Sequence, residues 1–139
     1  MNFTKYVLPV VVGSAAGMLL IKTGELVLGK MYTLPEVTDL NNLEPLKAAI
    51  LALPISAFIL LLASYMLAAL VSGIASTIVI KGTTGIPAGI SGLILTAGGL
   101  MNIIRIPHPL WFSIANLLIY IPFALLGYLL LRKKQVITA

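Results

Sequence analysis

Five side chains hold most of the chemistry this sequence offers: Lys22, Glu25, Asn102, Arg105 and His108. Lys22 and Glu25 are three residues apart, and so are Asn102 and Arg105, so on a helix each pair shares a face. Both pairs sit in or at the end of apolar stretches. An ionisable group inside a membrane is costly and points to function by default. One reading is a polar pocket, open outward, that binds an anion or a lipid headgroup through Lys22, Arg105 and His108, with Glu25 as a proton-coupled carboxylate. The structural alternative is that Lys22 snorkels to the interface and Glu25 pairs with Lys22, Arg105 or both, holding the first helix against the third. No second carboxylate is placed to form an acid/base pair with Glu25. A single histidine supplies neither a nucleophile with its base nor a metal with its ligands. The chain has no cysteine, which excludes disulfides, thiolate metal sites and thiol catalysis. No catalytic residue, metal site or cofactor is therefore expected.

The elements that position these groups must be lipid-embedded. Of 139 residues, 60% are hydrophobic and 9% charged, and the mean hydropathy is +1.10. A soluble domain carries about 25% charged residues, so this chain could not cover its own exterior in water. The fold class expected is all-α, an integral membrane bundle of four transmembrane helices in one membrane domain, 1–139. The formal net charge is +5, but the basic residues are scattered singly or lie at the C-terminus. Membrane topology explains that pattern better than nucleic-acid binding.

A spanning helix needs about 20 residues, and four stretches qualify: 6–29, 54–77, 85–104 and 110–131. The first has a competing reading as a cleavable signal peptide, with Met1–Lys5 as its basic start and Ser14-Ala15-Ala16 as its cleavage site; a retained helix is expected. The polar segment from Lys30 to Lys47 reads as an ordered loop, with Glu44 or Asn42 capping a helix and Pro45 in its first turn. Ala48 to Ile80 holds no charge and is too long for one straight span. Pro54 and Ser72-Gly73 are where it is expected to bend or end. Lys81 to Thr84 reads as a tight turn. Its Gly82-Thr83-Thr84-Gly85 lacks the Gly-Lys-Ser/Thr ending of a phosphate loop.

Helix packing is expected at Gly13, Gly17, Gly85, Gly89 and Gly92, because close backbone approach supplies the packing energy between helices in lipid. Those small residues serve either the first helix against the third or self-association. Pro54 and Pro122 are candidate hinges. Gly13-x-x-Ala16-Gly17 and Gly85-x-x-Ala88-Gly89 are alike enough to suggest a two-plus-two duplication.

Pro107-His108-Pro109-Leu110-Trp111-Phe112 is the most distinctive string. Two prolines make a stiff turn and the aromatics anchor the last helix at an interface. Together with Glu25, Tyr32-Thr33-Leu34-Pro35, Leu53-Pro54 and Asn102, this string resembles a family of small bacterial four-helix inner-membrane proteins with such a motif before the last helix. The resemblance covers most of the chain and implies an architecture rather than an activity. The patterns of small multidrug transporters and of fluoride channels are missing.

With four spans, one side carries Lys5, Lys81, Arg132, Lys133 and Lys134, and the other Lys30, Lys47 and Arg105. The bias places both termini in the cytoplasm of a bacterial inner membrane. The function expected is that of a non-enzymatic subunit or interaction protein of a membrane assembly. The alternative is a small oligomeric transporter or channel with an outward-facing polar site. Its partners would be membrane lipid and either further copies of itself or a larger membrane complex.

Overall fold

The computed structural model describes residues 2–36 and 38–138, with side chains as far as Arg132. Among them are five helices and no strand: α1 Thr4–Met31, α2 Glu44–Leu51, α3 Ile55–Val79, α4 Ile86–Arg105 and α5 Leu110–Thr138. Four stretches are long and apolar enough to cross a membrane: α1, α3, α4 and Leu110–Arg132 of α5. Helices suit this solvent because every backbone polar group is satisfied within the segment. The protein is an all-α membrane bundle.

Consecutive spans run in opposite directions, and contacts between side chains and glycines give the order. α3 is central and touches α1, α4 and α5; α1 and α5 do not meet among the described residues. Gly13 faces Ser72 and Ser76 while Gly24 faces Ser64, so α1 and α3 are antiparallel. Gly85 lies on Tyr128, Gly92 on Ile121 and Gly99 on Tyr120, so α4 and α5 are antiparallel too. The C-termini of α1 and α4 and the N-termini of α3 and α5 therefore share one end, called here the Arg105 end.

The charge-free run divides at Pro54 rather than at Ser72-Gly73. Pro54 is the extended N-cap of α3, at φ −69° and ψ 160°, and Ala52-Leu53 separate it from α2. The missing proline N–H suits that position. The expected break at Ser72-Gly73 is absent, and α3 passes straight through it. Gly73 serves packing instead. A Cβ there would fall on the carbonyl oxygen of Ala124, and a Cβ on Gly127 would fall on that of Leu70. Only glycine lets the α3 and α5 backbones come this close. The Gly73 carbonyl is capped twice, by Ser76 Oγ at 3.0 Å and Thr77 Oγ1 at 2.6 Å, the back-bonding that Ser and Thr offer inside helices.

At the start of α2, neither Asn42 nor Glu44 is the cap. Leu43 holds that position, without a side-chain hydrogen bond, and Pro45 is in the first turn. The reversal after α3 is made by Lys81 at φ 56° and Gly82 at φ 68°, left-handed conformations that glycine adopts freely and lysine does not.

Of the expected packing glycines, Gly13, Gly17 and Gly92 are buried at tight contacts. A Cβ on Gly13 would stand 2.7 Å from Ser91 Oγ, and one on Gly17 2.8 Å from Leu95 Cδ1. These two glycines join α1 to α3 and α4 together. Gly85 packs under the Tyr128 ring. Gly89 has room for a Cβ, its nearest neighbour being Leu125 Cδ2 at 3.7 Å, so no close approach depends on it.

Candidate functional site

Beyond Gly17 and Leu95, α1 and α4 no longer touch through small residues, and a cleft of about 500 Å³ opens between them toward the Arg105 end. Met18, Ile21, Lys22 and Glu25 of α1 form one wall. Leu95, Gly98, Gly99, Met101, Asn102 and Arg105 of α4 form the other. Tyr65 of α3 and Tyr120 of α5 close the floor. The volume is that of a small-molecule site, which is mostly apolar with a few placed polar groups.

Lys22, Glu25, Asn102 and Arg105 thus meet around one cleft, because each pair faces it from its own helix. Glu25 is held from two sides. Lys22 Nζ donates to Oε2 at 3.2 Å along the same helix, and Tyr65 Oη donates to Oε1 at 2.9 Å from across the bundle. Lys22 keeps 77% of its side chain exposed against 30% for Glu25, so the ammonium reaches outward while the carboxylate stays in the cleft. The expected pairing with Lys22 is present. The expected pairing with Arg105 is not: no carboxylate lies within 4 Å of its guanidinium among the described residues, and the side chain is exposed at the end of α4. At this end Glu25 ties α1 to α3 through Tyr65 and makes no ion pair with α4 among the described residues.

His108 is not in the cleft. Its ring stacks on Phe112, with centroids 5.1 Å apart and planes 19° from parallel, and meets the edge of Phe58 at 6.3 Å. Nδ1 sits 2.7 Å from the Ile106 carbonyl oxygen, the geometry of a turn in which the ring N–H donates to the backbone. Burial lowers the His108 pKa below its ordinary value, against the opposing influence of that carbonyl and of Glu25. Trp111 meets Phe58 edge-on at 6.3 Å, so the whole string closes the bundle around the first turn of α3 as a stiff aromatic cap. No group of three or more His, Cys, Asp or Glu is placed to hold a metal among the described residues.

Three buried polar residues are missing from the sequence reading: Tyr65 and Tyr120 on the floor, and Asn116, which is bonded to Tyr120. All are essentially fully buried. The Tyr65 and Tyr120 rings are 6.2 Å apart, and Tyr65 also packs on Phe112 at 6.4 Å. Tyr120 Oη donates to Asn116 Oδ1 at 2.7 Å, one helical turn back, while Asn116 Nδ2 has no partner among the described residues. A usable signal was present. Tyrosine favours membrane interfaces, and two tyrosines in the middle of apolar runs, one of them four residues after an asparagine, need polar partners inside the bundle.

No known protein family, curated protein or solved structure matches the chain.

Proposed function

We propose that this chain is a non-enzymatic protein of the bacterial cytoplasmic membrane, with both termini in the cytoplasm, that holds a small polar-headed molecule in the α1–α4 cleft. It acts as the binding unit of a small oligomeric transporter or channel. The observation that carries this reading is the cleft itself. Its wall presents Glu25, which stands in the stretch of α1 that would cross the membrane and is fixed by the buried Tyr65, with Asn102 and Arg105 opposite and apolar residues between. A four-helix chain packs around side chains rather than a pore, so passage through the membrane needs more than one copy.

The subunit reading draws on the same cleft, in which a partner's transmembrane helix would cover the exposed Gly98. Its other support is weaker in three dimensions. Gly13, Gly17 and Gly92 are buried against the chain's own helices and are not free to meet a second copy or a partner.

Affinity purification in mild detergent, followed by mass spectrometry of protein and bound small molecules, separates the two. The binding reading expects the chain alone or as a homo-oligomer, carrying a small molecule that Glu25→Gln loses. A stoichiometric larger complex with a helix cross-linking to position 98, and no small molecule, sinks it. Orientation is tested by C-terminal fusions: a fluorescent protein that matures only in the cytoplasm should be bright, and alkaline phosphatase should be silent.

A further inference from the structure

We infer that the α1–α4 cleft is an aqueous vestibule, open to water only at the Arg105 end, which brings water-soluble solutes to the Lys22–Glu25 pair near the middle of the membrane. This rests on the binding reading above and adds the route of entry: the ligand arrives from water on one side, not from the lipid.

Depth supplies the first argument. Gly24 faces Ser64 and Gly17 faces Ser72, so Lys22, between those two glycines, lies level with the middle of α3. Tyr65, which holds Glu25, is ten residues after Ile55 and fourteen before Val79, about 15 Å and 21 Å along the helix axis. Half of the hydrocarbon core is about 15 Å. The ion pair therefore stands where the bundle crosses the lipid tails, not at their edge.

Hydration supplies the second. An ammonium has three donors, and Lys22 Nζ uses one, on Glu25 Oε2. The others have no acceptor among the described residues, and 77% of the side chain is exposed. Lipid tails accept no hydrogen bond, and a charge among them is costly. Nor does Lys22 escape to the interface, because its ammonium is bonded to Glu25 and Glu25 to Tyr65. Water meets both needs. A cleft of about 500 Å³ admits it, since one water takes about 30 Å³. Asn102 and Arg105 also line the cleft, so polar side chains run from its mouth to the pair.

The closed end supplies the third. Leu95 is 1% exposed, and a Cβ on Gly17 would stand 2.8 Å from its Cδ1, so the cleft stops there. Beyond it, Ser91 Oγ meets the Val10 carbonyl oxygen at 3.4 Å, and a Cβ on Gly13 would stand 2.7 Å from that hydroxyl. α1 and α4 are closed on each other over that half, so water enters from the Arg105 end alone.

The chain has no cysteine, so single cysteines introduced into it react against a silent background. Neighbouring residues make the comparison. Met18 and Met101 line the cleft, while Leu19 and Leu100, beside them at almost the same depth, are exposed outside it. Each is replaced by cysteine in the full chain, in washed, sealed membrane vesicles of either orientation. The probe is a charged, membrane-impermeant methanethiosulfonate. All four positions are exposed, so the variants keep the fold; a thermal melt checks this, and either pair suffices. Apolar surroundings raise a thiol's pKa, and each unit cuts the reactive thiolate about tenfold. From the Arg105 side, Met18→Cys and Met101→Cys should react about a hundredfold faster than Leu19→Cys and Leu100→Cys. From the side of the termini, none should react. Equal, slow reaction within each pair puts lipid or a helix in the cleft and overturns the proposal. Fast reaction of Met18→Cys from the side of the termini overturns it too, since the vestibule is then not one-sided. If Met18→Cys is slow yet a small molecule that Glu25→Gln loses still co-purifies, the vestibule fails while the binding reading stands. If the lining cysteines are fast and no small molecule co-purifies, the vestibule stands while the binding reading fails.

Discussion

Glycine does opposite work in two parts of this bundle. Along the α3–α5 seam, Gly73 and Gly127 bring two backbones together until a Cβ on either would meet the other helix's main chain. At the α1–α4 cleft, Gly98 has open space where its Cβ would be. Both regions read in sequence as small residues in apolar helices. The difference lies in what faces them. Gly73 and Gly127 face each other's helices, whereas Gly98 is exposed at the cleft, with nothing within 4 Å of where its Cβ would stand. A small residue in a membrane helix therefore means contact only when the opposite helix is held there by something else.

The largest expected effect breaks the seam. Gly73→Ala places a methyl on the Ala124 carbonyl and should cost about 3 kcal/mol by overpacking, read by unfolding in SDS titration. Gly89→Ala, one turn from the tight Gly85 and Gly92 contacts but with room to spare, should stay within about 0.5 kcal/mol of wild type. Equal losses at the two positions would mean that the close approach at Gly73 does not set the cost, since alanine favours helix over glycine at both.

The next effect sharpens the account of the cleft. Tyr65→Phe removes the hydroxyl that draws α1 to α3 and should cost about 1 kcal/mol, in the range measured for hydrogen bonds between membrane helices. In double-mutant cycles, Tyr65→Phe and Glu25→Gln should be coupled, while Arg105→Gln and Glu25→Gln should be additive. Coupling between Arg105 and Glu25 instead would close the cleft and end the contrast with the seam.

A smaller effect concerns the aromatic cap. The folded His108 pKa lies below the ordinary value of about 6.5. The unfolded chain therefore binds more protons in that range, and stability falls as pH drops below about 6.5, levelling off beneath the folded pKa. His108→Gln should flatten that part of a pH series of melting temperatures from pH 7.5 to 5. An unchanged slope would place its origin elsewhere.

The smallest is Gly98→Leu, expected to leave stability within about 0.5 kcal/mol of wild type, since it enters open space and favours helix. A loss as large as that of Gly73→Ala would show that the cleft is a packed interface, like the seam.

The amino-acid sequence by itself determined the solvent, the four spanning helices and most of the breaks between them. Apolar runs of spanning length, so few charges and prolines at 45, 54, 107 and 109 are local facts, and hydrogen bonding in lipid leaves a chain of this kind little but helices. It also marked Lys22, Glu25, Asn102 and Arg105, because charged and amide groups are conspicuous in apolar surroundings. Tertiary structure alone decided which of them touch. Whether Glu25 meets Arg105 or Tyr65 depends on how far α1 leans toward α3 or α4, and no spacing within one helix encodes that. The same holds for glycine. A residue without a side chain has no preference of its own for contact or void, so only the helix that stands opposite makes Gly73 a seam and Gly98 an opening.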